Sequence, residues 1–272
     1  SRGLGDVYKR QLVNTKDVPS SNLFTISVGT SLNDQTHFKK FLYNKGSGTD
    51  FLGFDNGFRS LKGGINAVLS PMNNGYDLLN NGLNNDWTVK DRRPLADLSL
   101  NMNFSRRWVD SSGRTLAILG TVNYSNSYRT YLDMDNNLFG AYDMTHDCSN
   151  YLRKSIDDQY NHSVRIGTML NFTYIPASGN SRYEFKNIFN QLGKDRYTYR
   201  KGTDAQSDYE ESAEYYYQSR TTYNGQFTGK HTLGNTDKLD WSAGYSYANR
   251  NMPDRRRYTT CLLYTSPSPR DS

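Results

Sequence analysis

LADLSLNMNF, residues 95–104, alternates without a break: Leu98, Leu100, Met102 and Phe104 take one side, and Asp97, Ser99, Asn101 and Asn103 the other. A period of two is the signature of a β-strand with one apolar face. The next run, LAILGTVNYSNSY at residues 116–128, repeats it, with Leu116, Ile118, Val122 and Tyr124 opposed to Thr121, Asn123, Ser125 and Ser127. Asp110, Ser111, Ser112 and Gly113 lie between the runs and supply the turn of a β-hairpin. The polar side is built from Asn, Ser, Thr and Asp, which suit a water-filled interior, and aromatic residues gather toward the strand ends. That combination predicts an all-β protein of the transmembrane β-barrel type.

The same alternation extends outward from this hairpin. Upstream, LFTISVGTSL opposes Phe24, Ile26 and Val28 to Thr25, Ser27 and Ser31. Downstream, Val164, Ile166, Leu170 and Phe172 oppose Arg165, Asn171 and Thr173. Tyr183, Phe185 and Phe189 then oppose Glu184, Lys186 and Asn190, with Ile188 breaking the pattern. Tyr215, Tyr217, Tyr223 and Phe227 face away from Gln218, Arg220, Thr222, Asn224, Gln226 and Lys230. A last strand carries Leu239, Trp241, Ala243, Tyr245 and Tyr247 outward. About seven antiparallel strands are expected, too few to close, so the sheet is expected to be open. Connections alternate long and short. Lys39 to Pro94, the stretch around Asp135 to Lys154, and Lys201 to Glu211 are long; the turns at Asp110 to Gly113, Pro176 to Asn180 and Leu233 to Asp237 are short. Outer-membrane barrels have long extracellular loops and short periplasmic turns. The three long stretches are therefore the candidate ligand-capturing loops. A soluble antiparallel sandwich is the alternative fold, and it gives loops no reason to alternate in length.

Both ends of the chain read as something other than gene sequence. SRGLGDVYKRQ, residues 1–11, back-translates in frame to a transposase sequencing adapter, and CLLYTSPSPRD, residues 261–271, to its reverse complement. Residues 1–11 and 261–272 are therefore set aside as adapter-derived, and residues 12–260 are expected to be an internal gene fragment. Without the tails, Lys+Arg falls from 33 to 29 and Asp+Glu from 27 to 25, so the net charge falls from +6 to +4. This mild excess is spread along the chain and does not suggest nucleic acid. Cys148 is left as one cysteine, with neither a disulfide framework nor a CxxC metal motif. No run approaches the roughly 18 apolar residues of a helical membrane span. The strongly negative mean hydropathy remains compatible with a barrel, whose strands give half their residues to the interior. With 22 Tyr, the chain is rich in the residue that forms interfacial girdles.

Five stretches carry a family resemblance: VNTKDVP at residues 13–19, FLGFDNGFRSL at 51–61, FKNIFNQLGKDRYTYRKG at 185–202, YQSRTTYNGQFTGKH at 217–231 and LDWSAGYSYANRNMPDRR at 239–256. Together they cover most of residues 12–260. They resemble TonB-dependent outer-membrane receptors of the Bacteroidota Oar-like type, the branch with a carboxypeptidase-regulatory-like domain. The resemblance implies that residues 12–21 are the end of a plug domain with its linker. Residues 22–260 would then be the N-terminal part of a plugged barrel of roughly 22 strands. It further implies a Gram-negative outer-membrane location, outer-membrane lipid around the barrel, and a TonB-type energy-transducing partner acting through plug that lies outside this chain. The expected function is energy-coupled uptake of a nutrient or chelate, an extracellular ligand of unknown identity. Two alternatives stand beside it: a non-transporting adhesion or scaffold barrel, and a soluble β-sandwich binding protein.

No catalytic, cofactor or metal site is expected. His37, His146, His162 and His231 are scattered, with only Cys148 near His146 as a co-ligand, and they are read as solvated loop residues. Asp133, Asp135 and Asn137 imitate the start of a calcium loop, but Leu138 replaces its glycine and Met144 its glutamate. Gly46, Gly48 and Gly53 follow no strand and open no helix, so they do not form a phosphate loop. Asp204, Asp208, Glu210, Glu211 and Glu214 are read as a solvated acidic loop, not an acid/base pair. Tyr215 and Tyr217 are expected in the lipid-facing girdle and not on a sugar-stacking platform.

Overall fold

The computed structural model describes residues 19, 21–60, 84, 86–204, 208–234 and 237–261. Residues 1–18 and 262–272, on which most of the expected adapter-derived tails and of the expected plug end fall, lie outside the described residues, as do residues 61–83 of the first long connection. The chain is all-β. Its strands are β1 (Leu23–Ser31), β2 (Phe41–Tyr43), β3 (Lys90–Arg92), β4 (Asp97–Val109), β5 (Thr115–Asp135), β6 (Leu138–Asp143), β7 (Cys148–Ile175), β8 (Ser181–Asp204), β9 (Tyr209–Leu233), β10 (Asp237–Asn251) and β11 (Arg255–Cys261).

One 9-stranded antiparallel sheet follows the order β1-β4-β5-β7-β8-β9-β10, with β6 added to β7 and β11 to β9. Strand β6 pairs with residues 148–153 of β7, just past the stretch taken by β5, and β11 pairs with Glu210 to Tyr216 of β9, just past the stretch taken by β10. The nine strands thus occupy seven lines, which are the seven lines of alternation. Each break has a cause. Between β10 and β11 lies Pro253, which has no N–H for the ladder, and the Tyr217 N–H reaches the Asp254 carbonyl instead. At the end of β5 the register shifts between Tyr131 and Met134, around Asp133 at φ 55°. Among the described residues β1 and β10 do not pair with each other, so the sheet is open.

Two long connections shrink. The stretch at residues 135–154 becomes the end of β5, all of β6 and the start of β7, and residues 201–204 and 209–211 are strand. Sequence alternation fades there because both faces of SNYLRKSIDDQYN are polar or mixed. Pairing comes from the partner strand: Arg153 to Tyr174 of β7 run in unbroken register against Tyr183 to Asp204 of β8. The short turns persist, with Gly113 at φ 83° and Gly179 at φ 69° supplying left-handed backbone.

Residues opposite one another in a ladder point the same way, so register extends the alternation across strands. Phe24, Phe104, Gly120, Leu170, Asn187 and Gly225 lie in one such row; Val28, Leu100, Tyr124, Ile166, Gln191 and Thr221 lie in another. This apolar face divides in two. Toward the short turns it is bare: Phe24 is 63% exposed and Val28 64%, and Met102, Leu116, Val122, Phe185, Phe227 and Trp241 are all exposed. Beyond the Tyr124–Gln191 row the residues become Tyr128, Tyr160, Tyr197, Tyr215 and Tyr217, and the first long connection lies on them.

That connection is ordered where it touches the sheet. Phe41, 1% exposed, meets the ring edges of Tyr128 and Tyr160 at centroid distances of 5.3 and 5.5 Å. It is held by β2–β3 pairing and by Arg92, which lies over Phe41, Tyr43 and Tyr128. The Arg59 guanidinium stacks 3.8 Å from the Tyr217 ring centre and reaches Asp50 at 2.6 and 2.7 Å and Asp55 at 2.9 Å. Burial disfavours its charge, yet the Asp50 hydrogen bond and charge hold its pKa above the ordinary arginine value. The Gly53 carbonyl, beside the 3-10 turn Asp50–Leu52, accepts from Gln191 Nε2 at 2.5 Å and Ser219 Oγ at 3.2 Å. Trp87 lies edge-on to Tyr215, whose hydroxyl donates to the Trp87 carbonyl at 2.7 Å. Tyr215 and Tyr217 are therefore buried, at 4% and 3% exposure. This corrects their expected place in an open girdle: the connection folds back over them.

The contact closes glycine to glycine. A Cβ on Gly193 would stand 2.5 Å from the Gly53 Cα, and one on Gly53, at φ 77°, would stand 2.8 Å from the Gly193 nitrogen. Gly193→Ala should therefore lift the connection at an overpacking cost of about 1–3 kcal/mol. Faster tryptic cleavage after Lys45 or Arg59, with the sheet's circular dichroism unchanged, is the expected outcome. An unaltered cleavage rate would refute the close approach.

Candidate functional site

On the opposite, polar face the sheet is hollowed. Residues of β1, β4, β5, β7 and β8 line one cavity of about 780 Å³, and those of β4, β5, β7, β8 and β9 line a second of about 470 Å³ beside it. Ser99, Ser125, Arg165 and Leu192 border both, so the two form one trough. Its size suits a small-molecule site. Strand alternation explains its walls, because Ser99, Ser125, Arg165, Leu192 and Arg220 are successive partners in one row across the sheet. Lys194 sits two residues from Leu192 on the same face, between Ser163 and Gln218. Ile188, the residue out of pattern, pairs with Met169 on this face, a small apolar spot nearer the short turns.

Several cations on this face are matched: Arg200 to Asp157 at 2.6 Å, Arg196 and Arg255 to Glu214 at 3.2 and 2.7 Å, and Lys186 to Glu184 at 3.1 Å. Lys230, toward the short turns, and Arg250, opposite Arg220 on β10, form no ion pair among the described residues. At the trough's rim Arg129 holds Asp97, the one carboxylate in the lining, at 2.5 Å. Asp97 also receives the Tyr128 N–H at 2.9 Å and pairs with His37 Nε2 at 2.9 Å. Among the described residues Arg165, Lys194 and Arg220 form no ion pair. With strands about 4.8 Å apart, the backbones at Arg165 and Arg220 stand roughly 10 Å from each other across β8. In a wet trough two such charges repel by only ~0.4 kcal/mol, whereas a charge-assisted hydrogen bond to an entering anion contributes about 1.5–3 kcal/mol. Leaving these cations free is cheap, and filling the space between them is favourable.

The lining carries hydroxyls, amides, guanidinium groups, the Lys194 ammonium and the Asp97 carboxylate, with no histidine or cysteine among its described residues. Among the described residues, none from the three stretches expected to capture ligand lines it. The other singled-out residues go elsewhere. His37 is buried against Asp97, and His162 lies in β7, stacked on Tyr128 and bonded to Asn126, so neither is the solvated loop residue expected. His146 is exposed and pairs with Asp143. Glu214 is a strand residue bridging two arginines, not part of a free acidic loop. Among the described residues no group of three or more His, Cys, Asp or Glu is placed to hold a metal ion.

Alternation had put Arg165 and Arg220 on the polar side. The register that brings them into one row with Lys194 beside it was not visible without the pairing of β7, β8 and β9. Compared with known protein families, curated proteins and solved structures, the chain matches none.

Proposed function

We propose that the chain is part of an outer-membrane receptor for energy-coupled uptake of a nutrient or chelate, with the polar face turned to the interior of a barrel and the bare apolar face turned to lipid. One observation carries the reading: a wide sheet exposes a contiguous band of Phe, Leu, Ile, Val and Trp, with no second sheet over it among the described residues. Water does not tolerate such a band on a monomer; lipid requires it. On β7 the band runs from Ile166 to Tyr174, matching the roughly 9–11 residues with which a tilted strand crosses the hydrocarbon core. A strand of 28 residues extends well beyond that, so the outer half of the sheet, with its tyrosines under the first connection, stands outside the bilayer. The resemblance to TonB-dependent receptors supports transport over a scaffold role, and it supplies the energy-transducing partner.

Substitutions on the two faces test the orientation. In the full-length protein carrying this chain, Leu100→Arg or Ile118→Arg should cost about 2–4 kcal/mol in a bilayer refolding titration, while Asn101→Arg and Thr121→Arg should leave it nearly unchanged. Equal damage from both pairs would reverse or remove the lipid face.

Sidedness gives a second test. Cys148 is exposed, so a Cys148→Ser background is needed. In it, a cysteine at Thr145 should react with an impermeant maleimide on intact cells, and cysteines at Ser112 or Ser178 only after the outer membrane is ruptured. The opposite pattern would invert the sheet, and uniform labelling would speak against membrane insertion.

A further inference from the structure

We infer that the trough binds a ligand carrying two or more anionic groups, carboxylate or phosphate, held between Arg165, Lys194 and Arg220. The inference deepens the uptake reading and rests on it for its setting, but not for its chemistry. Three features carry it. The cations lie on three adjacent strands and point to one side, in a hollow large enough for a small molecule. Arg129, Arg196 and Arg200 on the same face each have a carboxylate, whereas these three, like Arg250 opposite Arg220 on β10, have none among the described residues. Around them stand neutral donors, Ser125, Ser163, Asn123 and Asn190, which complete an anion's hydrogen bonding without cancelling the charge.

Spacing sets the ligand class. A single acetate or chloride bonded to Arg165 would leave Arg220, about 10 Å away across β8, unused. A molecule with two or three anionic groups on a short skeleton reaches both arginines and the Lys194 ammonium between them. Planar guanidinium groups at the two ends favour bidentate contacts with carboxylate or phosphate, and the mobile lysine accommodates a third group of either kind. Affinity is expected to fall as salt screens the charges.

The test is calorimetry on the full-length protein carrying this chain, folded in detergent, with citrate and inorganic triphosphate titrated in parallel and acetate and glucose as controls. Binding of at least one polyanion, at least tenfold tighter than acetate and weakening from low to high NaCl, is the expected result. The stronger of the two identifies the anionic group. Arg165→Gln and Arg220→Gln should each weaken binding at least tenfold, and Lys230→Gln, on the same face outside the trough, should change nothing. The wild-type protein supplies a readout independent of variant folding: bound polyanion should slow acylation of Lys194. Failure of the wild type to bind either polyanion, binding by folded glutamine variants equal to wild type, or acylation of Lys194 unaffected by polyanion would each overturn the inference. Its failure is distinguishable from that of the uptake reading. Polyanion binding without uptake by cells sinks transport and leaves the trough, whereas uptake of an uncharged nutrient that survives both glutamine substitutions does the reverse.

Discussion

A β-strand sends successive side chains to opposite sides, and in one unstacked sheet each side must then find its own surroundings. Every other feature of this structure follows from that division. Phe24, Leu100, Ile118 and Phe172 share one face, while Ser99, Asn123, Arg165 and Thr222 share the other. A soluble sandwich would bury the apolar face against a second sheet. Among the described residues the only other sheet is the short pair β2–β3, which covers the tyrosine end and leaves the aliphatic band bare.

The covered half is held by polar chemistry laid over aromatic rings. Phe41 supplies the apolar anchor, but the contacts that fix position are the Gly53 carbonyl on Gln191 and Ser219, the Tyr124 hydroxyl on the Phe51 carbonyl, and Arg59 stacked on Tyr217 between two aspartates. Arg256 adds hydrogen bonds to the carbonyls of Asn84 and Asp86, tying the connection to the last strand. A long crossing that would otherwise leave its backbone unsatisfied thereby finds partners. It also requires bare backbone at Gly193, where the connection and β8 touch without a side chain between them.

Most of the fold was legible in the residues, because the period of two is a local property. All seven lines of alternation are present, and the turns at Gly113 and Gly179 lie where Asp-Ser-Ser-Gly and Ala-Ser-Gly placed them. The sequence was less informative at the far end of the sheet. There SNYLRKSIDDQYN carries polar groups on both sides, and the ladders with β5, β6 and β8 make it strand. The tyrosines show the same limit. At period two, Tyr215 and Tyr217 are indistinguishable from residues that meet lipid, and their burial depends on a segment more than a hundred residues earlier in the chain.

The candidate site divides in the same way. Sequence by itself determined which side of each strand Arg165 and Arg220 occupy, and that the side is polar, because facing depends on nothing beyond a residue's parity within its strand. Only the tertiary structure decided that Arg165, Leu192 and Arg220 fall in one row, that Lys194 stands beside it, and that Asp97 is already occupied by Arg129. Register across β7, β8 and β9 is set by the ladder as a whole, and ion pairing by distances between residues far apart in sequence. Neither can be read from one strand at a time.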